Sequence, residues 1–134
     1  MKKLKIAVAS EPTLDEYRKI LIEHLSLMLD AQVSDINILS QWRNKEELVE
    51  NCIEEVVSNH VDFVVLVSRT GNGLQMIANK HEKIRAAPIP RMEYVEEAAS
   101  LDPNMCEISS TFFDPQSASE LVVELFRLRK TIER

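Results

Sequence analysis

Glycine is almost missing from this sequence: 134 residues contain two, and both fall in Gly71-Asn72-Gly73. Cysteine is as rare. Cys52 and Cys106 lie far apart without metal-ligand spacing, so both are expected as reduced thiols in or near the core. The three histidines, His24, His60 and His81, form no H-x-x-x-H pair, and neither a metal site nor a cofactor is expected. Positive charge is short: 16 Lys and Arg against 22 Asp and Glu leave a net charge of −6. That balance excludes the basic footprint which nucleic acid or an anionic membrane requires. No apolar run approaches the roughly 18–20 residues of a membrane span. Met1-Lys2-Lys3 leads straight into a strand-like run too short for a signal-peptide core, so the expected location is the cytoplasm.

What remains is an ordinary globular balance, 45% hydrophobic and 28% charged, in a length that suits one domain over residues 1–134. The core available to such a chain is modest, and association with further copies is expected. Leu4 to Ala9 is short and apolar, as a buried parallel strand is. Thr13 and Glu16 have capping-box spacing, and Leu14, Tyr17, Leu21, Leu25 and Met28 follow on one helical face. A second strand is predicted over Val33 to Leu39. Asn44 with Glu47 marks another helix start, and the stripe of Leu48, Cys52, Ile53, Val56 and Val57 runs to about His60. The clearest strand is Val61 to Ser68, followed by a helix from Leu74 to Lys80. A short strand over Ile84 to Ile89, a helix over Met92 to Ser100 and a strand over Asn104 to Ser109 come next. Asp114-Pro115 opens the last helix, with proline at its first position and an apolar stripe of Leu121, Val122, Leu125, Leu128 and Ile132.

Strand and helix alternate about five times, which predicts an α/β, Rossmann-like three-layer sandwich. Its sheet has five strands, mainly parallel, with helices on both faces. Ligands of such sheets bind outside the carboxyl ends of the strands. The loops at Ser10–Thr13, Ser68–Gly73 and Ser109–Asp114 therefore matter most. Gly71-Asn72-Gly73 follows a strand and opens a helix, so its amides and the helix dipole converge on one point. An anion such as phosphate suits that place; a plain tight turn is the alternative. The loop matches neither G-x-x-x-x-G-K-[ST] nor G-x-G-x-x-G, whose third glycine is Met76 here.

Thr70-Gly-Asn-Gly-Leu-Gln-Met-Ile-Ala-Asn-Lys80, followed by Ile84-Arg-Ala-Ala87, resembles the ribose-5-phosphate isomerase B family, which includes the galactose-6-phosphate isomerase subunits. That family carries a G-[TS]-G-x-G-x-x-x-A-A-N-K loop and helix and then G-I-R-A-A. Lys5-Ile-Ala-Val-Ala-Ser10 is similar to its first strand. The resemblance implies a homodimer or homotetramer with sites at a subunit interface. It also implies aldose–ketose isomerisation of a phosphorylated sugar through an enediolate, with no metal.

Carried over position by position, the family's functional groups are largely replaced. Its Asp-His after the first strand is Glu11-Pro12, and proline cannot exchange a proton. Its Cys base is Ser68, whose unassisted hydroxyl is a far weaker base than a thiolate. A Glu used by another branch is Leu74. The His-Asn pair before the fifth strand falls on Ser100-Leu101 or, shifted by one residue, on Leu101-Asp102, with no histidine either way, and the arginine after that strand is Thr111. Glu11 is the best remaining base, with Ser68 at the family's catalytic place. Arg69, Thr70, Gly71, Asn72 and Gly73 are the candidate phosphate-binding residues. Arg69 replaces a family glycine, and either supplies a phosphate charge or fills the pocket. Asn79-Lys80 either contacts ligand or ties the loop to the helix end; Arg85 is structural or interfacial. Arg127, Arg129 and Arg134 are further cations that the motif does not place. Three functions stay open: an isomerase with rearranged groups, a non-catalytic helper of an active paralogue, and a phosphosugar-binding or structural protein.

Overall fold

The computed structural model describes residues 3–39 and 44–132, with side chains at 3–37 and 44–129. Met1, Lys2 and Arg134, and the side chain of Ile132, lie outside the described residues. Five strands form one sheet: β1 (Leu4–Ser10), β2 (Ala31–Asp35), β3 (Phe63–Ser68), β4 (Ala86–Pro88) and β5 (Met105–Ser109). Their order is β2-β1-β3-β5-β4, and every neighbouring pair is parallel. The helices are α1 (Asp15–Met28), α2 (Ile36–Leu39), α3 (Lys45–Val57), α4 (Gly73–Ala78), α5 (Val95–Ser100) and α6 (Pro115–Ile132).

The period-two alternation of strand side chains decides the layers. Ile6, Val8, Phe63, Val65, Val67, Cys106 and Ile108 pack with residues of α1, α5 and α6 on one face. Ala7, Ala9, Val64, Leu66 and Met105 pack with α2, α3 and α4 on the other. The three-layer α/β sandwich is therefore the one expected, and its sheet is parallel throughout. Cys52 and Cys106 are wholly buried. Burial pushes the Cys52 thiol up to about 12 and raises that of Cys106 as well.

Two expected boundaries are corrected. β2 ends at Asp35 and not at Leu39, because Asp35 Oδ1 accepts the Asn37 N–H at 2.9 Å and turns the chain into α2. The Thr13–Glu16 capping box is not formed. Pro12–Leu14 make a 3-10 turn, and α1 begins at Asp15 without a side-chain cap, since a proline at Pro12 presets the first turn. Asn44 does cap α3, its Oδ1 accepting from the Glu47 N–H at 2.9 Å.

Asp114 caps α6 by accepting from the Ser117 N–H at 2.7 Å. The Ser117 backbone and hydroxyl together hold its carboxyl below the usual aspartate value. A carboxylate depressed in the folded state adds stability above its unfolded pKa, and that stability is lost as pH falls through the folded value. Wild-type protein is thus expected to lose a component of stability below about pH 4 that Asp114→Asn lacks. Thermal melts across this window, with the two proteins losing stability in parallel, would show that the cap does not titrate.

Candidate functional site

β1 and β3 are the central neighbours from which the chain winds outward in opposite directions, to β2 and to β5. A crevice opens at such a switch point beyond the carboxyl ends of the strands. Serines end three adjacent strands here, and Ser10, Ser68 and Ser109 are all buried. Behind them, Arg18 is only 4% exposed and is held through its Nε and Nη1. Its Nη1 donates to Ser10 Oγ and to Asp15 Oδ1, each at 2.7 Å, and its Nε donates to Asp35 Oδ1 at 2.9 Å. The Asn37 side chain takes both the amide (3.1 Å) and the carbonyl (2.8 Å) of Ser10. This buried network fixes the point from which Glu11 departs.

The glycine loop is held from β5. Gly71 has φ +75, and a Cβ there would stand 2.9 Å from Ser109 Cβ, so only glycine suits the position. Ser109 Oγ donates to the Arg69 carbonyl at 2.5 Å. Gly73, by contrast, is not among the residues with positive φ. The nearest atom to a Cβ there would be Lys45 Nζ at 4.0 Å. Of the two glycines, Gly71 alone takes the left-handed region.

Glu107 dominates the inner side of the loop. It sits in the middle of β5, paired with Leu66 in register, and is fully buried. Strand alternation aims it at α4. Its Oε1 accepts the Gln75 N–H at 2.7 Å, and its Oε2 accepts the Leu74 N–H at 3.2 Å and the Ser68 hydroxyl at 2.5 Å. Ser68 Oγ in turn accepts the Gly71 N–H at 2.8 Å. The chain thus supplies its own acceptor to the amides that open α4. Leu74 carries its side chain into the core and does not fill the crevice. Sequence reasoning missed Glu107, although a lone carboxylate at the centre of a strand buried on both faces was the available signal.

On the outer side, Glu11, Pro12, Thr13, Lys45, Arg69 and Thr70 line an open cleft of about 480 Å³. Arg69 and Thr70 are exposed. Glu11 Oε1 lies 3.7 Å from Lys45 Nζ. The amides of Thr70, Asn72 and Gly73 find no acceptor among the described residues. The structure therefore brings Glu11, Arg69 and Thr70 to one cleft, with Gly73 approaching it beside Lys45 and Gly71 turned against Ser109, and it buries the Ser68 hydroxyl. Lys45, far away in sequence, had no motif to announce it.

The remaining candidates stand elsewhere. Asn79 pins α4 to β4: its Nδ2 donates to the Ala86 carbonyl and its Oδ1 accepts from the Ala86 N–H, both at 2.8 Å. Lys80 is exposed. Arg85 Nε donates to the Asp102 carbonyl at 2.6 Å, before β4 begins. Arg129 lies over the rings of Phe63 and Phe126 and reaches Asp102 Oδ1 at 3.2 Å. Phe63 opens β3, so Arg129 lies at the opposite end of the sheet from the glycine loop. Arg127 pairs with Glu124 on the surface. Among the described residues, no three His, Cys, Asp or Glu side chains gather as metal ligands, and no helix is long and apolar enough to cross a membrane.

Several solved structures share this architecture. The type B ribose 5-phosphate isomerase of Trypanosoma brucei superposes with a TM-score of 0.82 at 17% identity, covering 98% of this chain and 96% of that one. The ribose 5-phosphate isomerase of Thermotoga maritima gives 0.81 at 23% identity, covering 99% and 100%. Ribose-5-phosphate isomerase B of Mycoplasma genitalium, solved with bound ribulose-5-phosphate, gives 0.79 at 23% identity, covering 99% and 97%. These identities carry the fold alone. No curated protein sequence matches the chain significantly. A family model described as Ribose/Galactose Isomerase matches residues 6–131, nearly the whole length. With the Thr70–Lys80 motif lying in its matched region, the chain belongs to the ribose/galactose isomerase family.

Proposed function

We propose that this protein binds a phosphorylated sugar in the cleft beside the 70–73 loop and does not isomerise it unaided. The observation that carries this reading is the buried Glu107 carboxylate. Aldose–ketose isomerisation through an enediolate needs a base and a place for developing negative charge. Here the Leu74 and Gln75 amides are already taken by the carboxyl oxygens of Glu107 and are closed to an enediolate oxygen. With those amides occupied, neither is free to stabilise the negative charge that develops on the way to the enediolate. Ser68, at the family's catalytic place, spends its hydroxyl proton on Glu107. Glu11 remains as an acceptor for sugar hydroxyls, and Arg69 with the outer amides as donors to phosphate.

The reading includes assembly as a homodimer or homotetramer in the cytoplasm. Phe112 and Leu101, 73% and 63% exposed, offer the apolar surface that subunit contacts cover. The test is an isomerase assay with ribose-5-phosphate, allose-6-phosphate and galactose-6-phosphate, alongside calorimetric binding of the same sugars. Binding without turnover is expected. Turnover by the chain alone would overturn the catalytic half of the proposal, and absence of all binding would overturn the other half.

A further inference from the structure

Lys45 stands where its own helix disfavours it. The positive end of a helix attracts carboxylates, and α3 duly carries Glu46 and Glu47 in its first turn, but a lysine there is opposed by the dipole. Its ammonium is directed toward the crevice, 3.7 Å from Glu11 Oε1. It also lies 4.0 Å from where a Cβ on Gly73 would stand. The absence of a side chain at Gly73 keeps that approach open. Lys45 thus lies beside the start of α4 and lines the cleft together with Arg69.

The charges of the cleft point the same way. Leu74 and Gln75 give their amides to Glu107, so beside the open amides of Thr70, Asn72 and Gly73 the formal positive charge for an external anion comes from side chains. Lys45 and Arg69 supply two cations against the single carboxylate of Glu11. The Glu11–Lys45 pair is long, and the Lys45 side chain is 58% exposed, so a dianion can displace the carboxylate from the ammonium with little rearrangement. Glu11 is then free to accept from a hydroxyl. A cleft of about 480 Å³ holds a single monosaccharide unit with its phosphate.

We infer that Lys45, together with Arg69, is the phosphate-recognising cation of this cleft, and that Lys45 exchanges its pairing with Glu11 for the phosphate when the ligand enters. This rests on the reading above that the cleft takes a phosphorylated sugar. The test is calorimetry at low salt with ribose-5-phosphate, inorganic phosphate and ribose, on wild-type protein, Lys45→Met, Lys45→Arg and Glu11→Gln. Lys45→Met is expected to weaken ribose-5-phosphate roughly tenfold or more, the span of a hydrogen bond to a charged group. Lys45→Arg should retain most of the affinity. Glu11→Gln should bind inorganic phosphate more tightly than wild type, because the competing carboxylate is gone, and should narrow the advantage of ribose-5-phosphate over phosphate. Wild type and Lys45→Met binding ribose-5-phosphate equally would overturn the role of Lys45 and leave the phosphosugar reading standing. A wild-type protein that binds none of the phosphorylated sugars would remove that reading and this inference with it.

Discussion

Glu107→Ala will lower the melting temperature by roughly 10–20 °C, corresponding to about 3–5 kcal/mol. The variant removes a buried carboxylate and leaves the Ser68 hydroxyl and the Leu74 and Gln75 amides without their acceptor. Each stranded donor costs about 1–3 kcal/mol. Glu107→Gln should lie between the two proteins, because its carbonyl serves the helix amides while its NH2 cannot accept from Ser68. The double variant Ser68→Ala/Glu107→Ala should be less damaged than the sum of its parts, since the two side chains share one network. A melting temperature within a degree or two of wild type for Glu107→Ala would show that the carboxylate does not hold the loop.

Gly71→Val should be nearly as damaging, and for a different reason. With φ at +75 and a Cβ only 2.9 Å from Ser109 Cβ and 3.0 Å from Ser109 N, the substitution strains the backbone and drives into the end of β5. Left-handed strain of about 1–2 kcal/mol and overpacking of about 1–3 kcal/mol add to a loss of roughly 2–5 kcal/mol. Gly73→Ala is the control. It meets open space up to Lys45 Nζ at 4.0 Å and should stay within about 1 kcal/mol of wild type, since alanine is the better helix former. Chemical denaturation of the pair measures the contrast; equal stability for Gly71→Val and Gly73→Ala would contradict the close contact with Ser109.

The alternation of strands and helices was legible because each element carries its own period: the apolar run from Phe63 to Ser68, the stripe from Leu121 to Leu125, the caps at Asn44 and Asp114. Boundaries set by tertiary partners were not. The Asp35–Asn37 turn is a local signal inside Val33–Leu39, but nothing local reveals that Asp35 also binds Arg18 and is held at the end of β2 by it. The glycine loop could be found from composition and motif. Its occupant could not, because whether Glu107 meets α4 depends on which face of the sheet that helix covers. Lys45 was hidden for a related reason, since only the packing of α3 beside β1 and β3 carries it to the cleft.

The parallel sheet has a consequence for how the chain reaches this state. No two strands are joined by a hairpin. The pairing nearest in sequence, β4 with β5, sets Ala86 against Met105, while β1 with β3 sets Ile6 against Phe63. Every pairing must therefore close a loop of roughly 20 residues or more before it gains any ladder bonds. Helices can form early from local contacts, but the sheet cannot zip from a turn. The rate of folding is thus set by the closure of long crossovers, and β1, whose both neighbours lie beyond such crossovers, is completed only when α1 and α3 have packed.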